Sequence, residues 1–266
     1  MTTVFFLFLA HLALGLLVTL PLVPESAGRK YFKFCSAVSA FVAASALWLL
    51  WRRFGWRGGR AAPGGDAYPA VVVAFGGLLL LTIVYNRARH FGWTRAQHPL
   101  LAGAIAAGLA GVVLGAPPDN RAFVAATDLT SVLLLGSAAA AMILGHWYLV
   151  VLDLPISALR RLTLLLIVAL VLRTAAVAAA LIGPFHVGYE DARLVAAGLW
   201  SPDGVFVWMR LLFGVAGPLS LVWFIWKTVE IRSTQSATGI LYVQLFLVLS
   251  GELLAKYLRV AAGLPL

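Results

Sequence analysis

Seven ionisable side chains fall inside long apolar runs: His11, Asp128, His146, Arg173, Arg210, Glu252 and Lys256. An ionisable group at membrane depth is costly, so each is a candidate for function. His11 and His146 suit one chemistry above others. Two neutral imidazoles on facing helices are the axial ligands of a haem b, and small neighbours let the macrocycle approach. Gly15 lies one turn after His11, and Gly145 precedes His146. Each histidine is followed nine or ten residues later by proline, Pro21 and Pro155, and then by a basic start to the next run, Arg29 and Arg160. The competing reading for each histidine is a hydrogen bond to a neighbouring helix, or for His146 an interfacial place beside Trp147.

Arg173 and Arg210 sit deeper than ordinary snorkelling allows, with an interfacial place the alternative for Arg210, and a buried guanidinium requires an anion. Asp128, a haem propionate and a lipid phosphate are the candidates. Glu252 and Lys256 stand at i,i+4 in SGELLAKYL, in the order favourable for an ion pair on one helix. The alternative for Glu252 is proton handling, accepting protons from a quinol. The uncharged turn STQSATG, residues 233–239, offers Ser236 or Thr238 as a helix cap, or a hydrogen-bonding wall around a quinone head group.

The elements that position these groups are membrane spans. The 266 residues are 62% hydrophobic and 11% charged, with a mean hydropathy of +0.96. The apolar runs are near-continuous and lack period-two alternation, so the expected fold is all-α, a polytopic integral membrane protein of about eight transmembrane helices. The predicted spans are 3–24, 31–51, 69–86, 99–116, 123–152, 157–182, 205–227 and 239–261, separated by breaks rich in Pro and Gly. Asp153 and Pro155 close the fifth. The first stretch lacks a basic leader region and a small-residue cleavage site, and is expected to remain as a span. Trp48, Trp51, Trp56, Trp147, Tyr148, Trp223 and Trp226 fall at span ends, where aromatic belts form.

The formal charge of +10 comes mostly from short loops, which fits anchoring to anionic lipid and not nucleic acid binding. A slight excess of Lys and Arg in the 1–2, 3–4, 5–6 and 7–8 loops predicts both termini outside a bacterial inner (cytoplasmic) membrane. The one cysteine, Cys35, rules out an internal disulfide, a cysteine zinc site and an iron–sulfur cluster within the chain. There is no CxxCH, P-loop, HExxH or GxSxG, and three methionines are too few for a copper-handling ladder. His90, His98 and His186 lie in loops.

Residues 1–266 form one membrane domain with candidate repeat halves 1–118 and 119–266. The offset between His11 and His146 is 135, and that between Phe75-Gly76 and Phe213-Gly214 is 138. An even number of spans per half would relate the halves about the membrane normal and give the two histidines equivalent places.

The stretch LFLVLSGELLAKYL resembles the final helix of the membrane-anchor subunits of the polysulfide and dimethyl-sulfoxide reductase family. The resemblance covers about fifteen residues and carries over only Glu252 and Lys256. It implies two four-helix halves that pass electrons between quinol and an iron–sulfur partner, commonly without haem. The expectation is a membrane subunit of a respiratory electron-transfer complex, binding quinol or menaquinone, a haem b, or both. Short loops leave no room for a catalytic domain, which implies a partner subunit carrying a cytochrome or iron–sulfur centre. The rival classes are a non-catalytic scaffold or assembly subunit and a small-solute transporter.

Overall fold

A computed structural model of the chain describes residues 1–56, 58, 62–151, 154–182, 204–264 and 266. Asp153 and His186 lie outside the described residues. Among those described there is no strand, and eight helices are long and apolar enough to cross a membrane. They are α1 (Thr2–Thr19), α2 (Gly28–Phe54), α3 (Tyr68–Phe91), α4 (Thr94–Gly115), α5 (Arg121–Val150), α6 (Ser157–Ile182), α7 (Gly204–Glu230) and α8 (Thr234–Ala262). The protein is thus an all-α, multi-pass membrane protein, as its composition requires.

Several ends differ from expectation for local reasons. The first helix tightens into a 3₁₀ turn at Leu20–Leu22, where Pro21 fixes the backbone. α4 begins five residues before Pro99, which is accommodated in its second turn. α8 begins at Thr234 after Ser233, so Ser236 and Thr238 lie inside the helix and are not its caps. The Thr238 hydroxyl donates instead to the Thr234 carbonyl at 2.7 Å, and Ser236 bonds Ser233 at 3.0 Å.

Two helices form the centre. α1 and α5 are each 67% buried over their most apolar stretch, against 28–39% for the other six. Lipid tails are as apolar as leucine, so helices in a bilayer associate through close packing and not through a hydrophobic drive. Gly15 and Gly136 supply that closeness: a Cβ on either would collide with the other's backbone. Ser39 on α2 donates to the Ala13 carbonyl of α1 at 2.8 Å. Along α4, Gly108 receives Leu78 and Leu14, and Gly111 receives the Phe75 ring. α1 packs on α2, α4, α5 and α8, while α5 packs on α1, α4, α6 and α8. α1 and α5 thereby join the first four helices to the last four.

The helix α7 is not uniform. Residues Leu212–Ala216 form a π turn between two α-helical pieces, immediately before Gly217-Pro218.

The exposed Trp48, Trp51, Trp56 and Trp223 fit an interfacial belt. Trp147 and Tyr148 do not. Trp147 donates its indole N–H to the Ala27 carbonyl at 3.1 Å and packs edge-on against Tyr31, and the buried Tyr148 donates to the Pro155 carbonyl at 2.6 Å. Trp147 thereby fastens the end of α5 to the start of α2, and Tyr148 fastens it to the segment that follows.

Candidate functional site: a buried ionic cluster

On α8 the residues Glu252, Lys256 and Arg259 recur at i, i+4 and i+7, which aligns them on one helical face. That face meets α5, where Asp128 and Ser131 are one turn apart. Glu252 is fully buried, and both oxygens of its carboxylate are doubly engaged. Oε1 accepts from Arg173 Nε at 2.8 Å and from Arg210 Nη2 at 2.9 Å. Oε2 accepts from Arg173 Nη2 at 3.0 Å and from the Ser131 hydroxyl at 2.5 Å. Arg173, reaching across from α6, also donates to the main-chain oxygens of Thr127 at 3.2 Å and Leu266 at 2.8 Å.

The second carboxylate, Asp128, accepts from Lys256 Nζ at 3.0 Å and from Arg259 Nη1. His11 of α1 brings Nδ1 to 3.9 Å of the same carboxylate without a hydrogen bond. The groups therefore form one cluster drawn from α1, α5, α6, α7 and α8. It holds four cationic side chains against two carboxylates, which leaves an excess of positive charge among the described residues. At 1.5 Å per residue, it reaches from the last turn of α8 to about 14 Å below the start of α1.

Arg210 is the least satisfied member. Its Nε and Nη1 have no hydrogen-bond partner, although the side chain is completely buried. The guanidinium reaches Glu252 by lying against Gly214 and Gly251. A Cβ on Gly214 would overlap Nη1, and one on Gly251 would strike Gly214. The π turn of α7 begins two residues after Arg210. Single π turns in membrane and soluble helices alike recur at functional sites.

The sequence-predicted residues divide clearly. His11, Asp128, Arg173, Arg210, Glu252 and Lys256 come together. His146 does not. It lies exposed near the end of α5, with Nδ1 3.1 Å from the Tyr242 hydroxyl. Asp128, the neighbour of His11, precedes His146 by eighteen residues on α5 (146−128), a separation of about 27 Å along the helix axis. Two imidazoles ligating one haem iron must stand within a few ångströms of each other, so the expected His11–His146 pair is corrected. The two histidines also occupy dissimilar places, one buried at mid-helix and one exposed at a helix end.

Two pairings are redrawn as well. Glu252 and Lys256 share a face but turn to different partners, and Arg173 pairs with Glu252 and not with Asp128. Arg259 and Ser131 were outside the predicted set. The i+7 spacing of Arg259 from Glu252 was a readable signal, while Ser131 had none, since buried serines recur along α5.

No protein-family model, curated protein or solved structure matches the chain.

Proposed function

We propose that the chain is a membrane subunit of an electron-transfer complex in a bacterial cytoplasmic membrane, exchanging electrons with a quinol and passing them to a partner subunit. The observation that carries this reading is the excess of cationic over carboxylate side chains in the cluster, among the described residues. In a low-dielectric interior, uncompensated cations stabilise an arriving electron. The short resemblance of the last helix to quinone-linked membrane anchors points the same way. Quinone replaces haem b as the favoured cofactor because His11 and His146 do not face one another.

The transporter reading fares less well. Broken helices in both halves are its expected mark. α7 carries a π turn before Gly217-Pro218, but α3, its counterpart, runs unbroken from Tyr68 to Phe91. The scaffold reading has one observation in its favour: the full engagement of the Glu252 carboxylate suits a lock between helices. That engagement also argues against Glu252 as the group that handles protons, since a carboxylate accepting four donated hydrogen bonds has no vacant acceptor position.

The test is purification of the full-length chain from its native membrane in mild detergent. The redox reading expects quinone in stoichiometric amount and a co-purifying subunit with a metal redox centre. A quinone-free preparation with no redox-active companion would leave the scaffold reading. A reduced-minus-oxidised spectrum with a b-type band that survives His146→Ala would return haem to the account through other ligands.

A further inference from the structure

The ionic cluster lies toward one membrane face, and a cleft of about 580 Å3 opens at the other. It is bounded by Leu20 at the end of α1, nine residues beyond His11 and so about 14 Å further along the helix. Its volume is in the range that holds a drug-sized ring. Phe32, Leu101 and Ile105 supply apolar walls.

Its polar groups are few and particular. Arg89 is buried, and each of its three guanidinium nitrogens already makes a hydrogen bond. Nη1 and Nη2 grip the Glu25 carboxylate at 2.6 and 2.7 Å, Nε donates to the Tyr85 hydroxyl at 3.1 Å, and the guanidinium lies 4.1 Å from the Phe32 ring centroid. Arg89 and Glu25 neutralise each other, so the cleft carries no net charge with which to hold a phosphate. The Gln97 amide, 8% exposed, and the His98 imidazole also line the cleft, and neither makes a hydrogen bond. Two free donor–acceptor groups against an apolar wall suit a neutral ring bearing carbonyl or hydroxyl oxygens.

The way in is through the bilayer. Ala102, on the cleft wall, is exposed and small, and Ile105 lies one turn further along α4. Exposed Phe91 and Trp93, stacked on one another at 5.7 Å, mark the head-group level beside it. A ligand with an apolar tail can enter sideways with its ring at that level.

We propose that this cleft is a quinone-binding site, with Gln97 and His98 hydrogen-bonding the ring oxygens and the tail leaving past Ala102. This rests on the quinol reading above. The test uses the full chain in phosphatidylcholine nanodiscs, a photoreactive azido-quinone, and mass-spectrometric mapping of the label. Wild type should label within residues 20–32 or 85–105, with competition by unlabelled quinone. Gln97→Leu should lower labelling by up to about tenfold, the upper range for one hydrogen bond, and Ala102→Trp should abolish it by filling the entrance. Both variants should melt as wild type does. Label mapping elsewhere, or labelling unaffected in both variants, would overturn the site while the quinol reading stands. Competition by phospholipid in place of quinone would also overturn it, making the cleft a lipid groove. No label together with no native quinone would overturn both.

Discussion

Asp128 and Lys256 stand 3.0 Å apart, yet their removal has unequal consequences. Lys256→Met takes one cation from a cluster that has a surplus, and Asp128 keeps Arg259. The expected cost is within about 1 kcal/mol, since the severe loss on breaking a buried pair comes from leaving a charge uncompensated, and Asp128 is not left so. Asp128→Asn removes the carboxylate that Lys256 and Arg259 are paired with and strands a buried ammonium, at an expected cost of about 3–5 kcal/mol. Thermal melting in detergent reads the difference, and equal losses would contradict the charge balance drawn here. Glu252→Gln belongs with the severe class, because it leaves Arg173 and Arg210 without a counter-ion. His146→Ala belongs with the mild one. Its ring is exposed and its hydrogen bond is to the Tyr242 hydroxyl, so the change should stay within about 0.5 kcal/mol. The residue types of this cluster were readable, because charge inside an apolar run is conspicuous. The pairings were not. A helical face fixes which residues point together, but which helix lies opposite is set by close packing, and glycines and alanines in every span leave that open. His146 shows the limit: its spacing to a proline matches that of His11, yet proline marks the end of a helix and says nothing of depth.

At the scale of elements, glycine decides where helices touch. The backbones of α1 and α5 meet at Gly15 and Gly136. Gly136→Val must part the two central helices, and with them the contact between His11 and Asp128. The expected outcome is a loss of several kcal/mol, as for overpacking without room to relax. A milder probe lies on α7. Gly214→Ala places a Cβ on the Arg210 guanidinium and should push it off Glu252. Gly214→Ala should therefore destabilise nearly as much as Arg210→Met, and the double variant no more than the larger single effect, because both disturb one contact. Additive melting shifts would show that the glycine acts independently of the arginine. The spans themselves were legible from length and apolarity, since the bilayer dictates both. Their ends were less so. At α8 hydroxyl residues turned back onto the helix in place of capping it, and at α4 a proline that reads as a start was absorbed in the second turn.

For the whole molecule, eight spans put both termini on one face, the face toward which the ionic cluster lies. The cleft opens at the other. Loop charge alone separates the two faces weakly. The structure keeps that margin. Lys256 and Arg259, which count toward the terminal face by sequence, are paired with Asp128, and Lys256 is buried there. On the opposite face, among the described residues, Arg89 is paired with Glu25 and Lys227 with Glu230, while Arg29, Lys30, Lys33, Arg87, Arg95, Arg160, Arg161 and Arg232 have no carboxylate partner. Positive loops are retained on the cytoplasmic side. Both termini should therefore face outward and the cleft should open toward the cytoplasmic leaflet. The chain lends itself to the measurement, because its lone cysteine, Cys35, is buried. An impermeant maleimide added to intact cells should leave wild type unlabelled and should label Asp119→Cys, on the 4–5 loop. Arg95→Cys, at the exposed start of α4 on the opposite face, should label only after the membrane is opened. The reverse pattern would turn the molecule over, and would set the electropositive cluster, not the cleft, beside the cytoplasm.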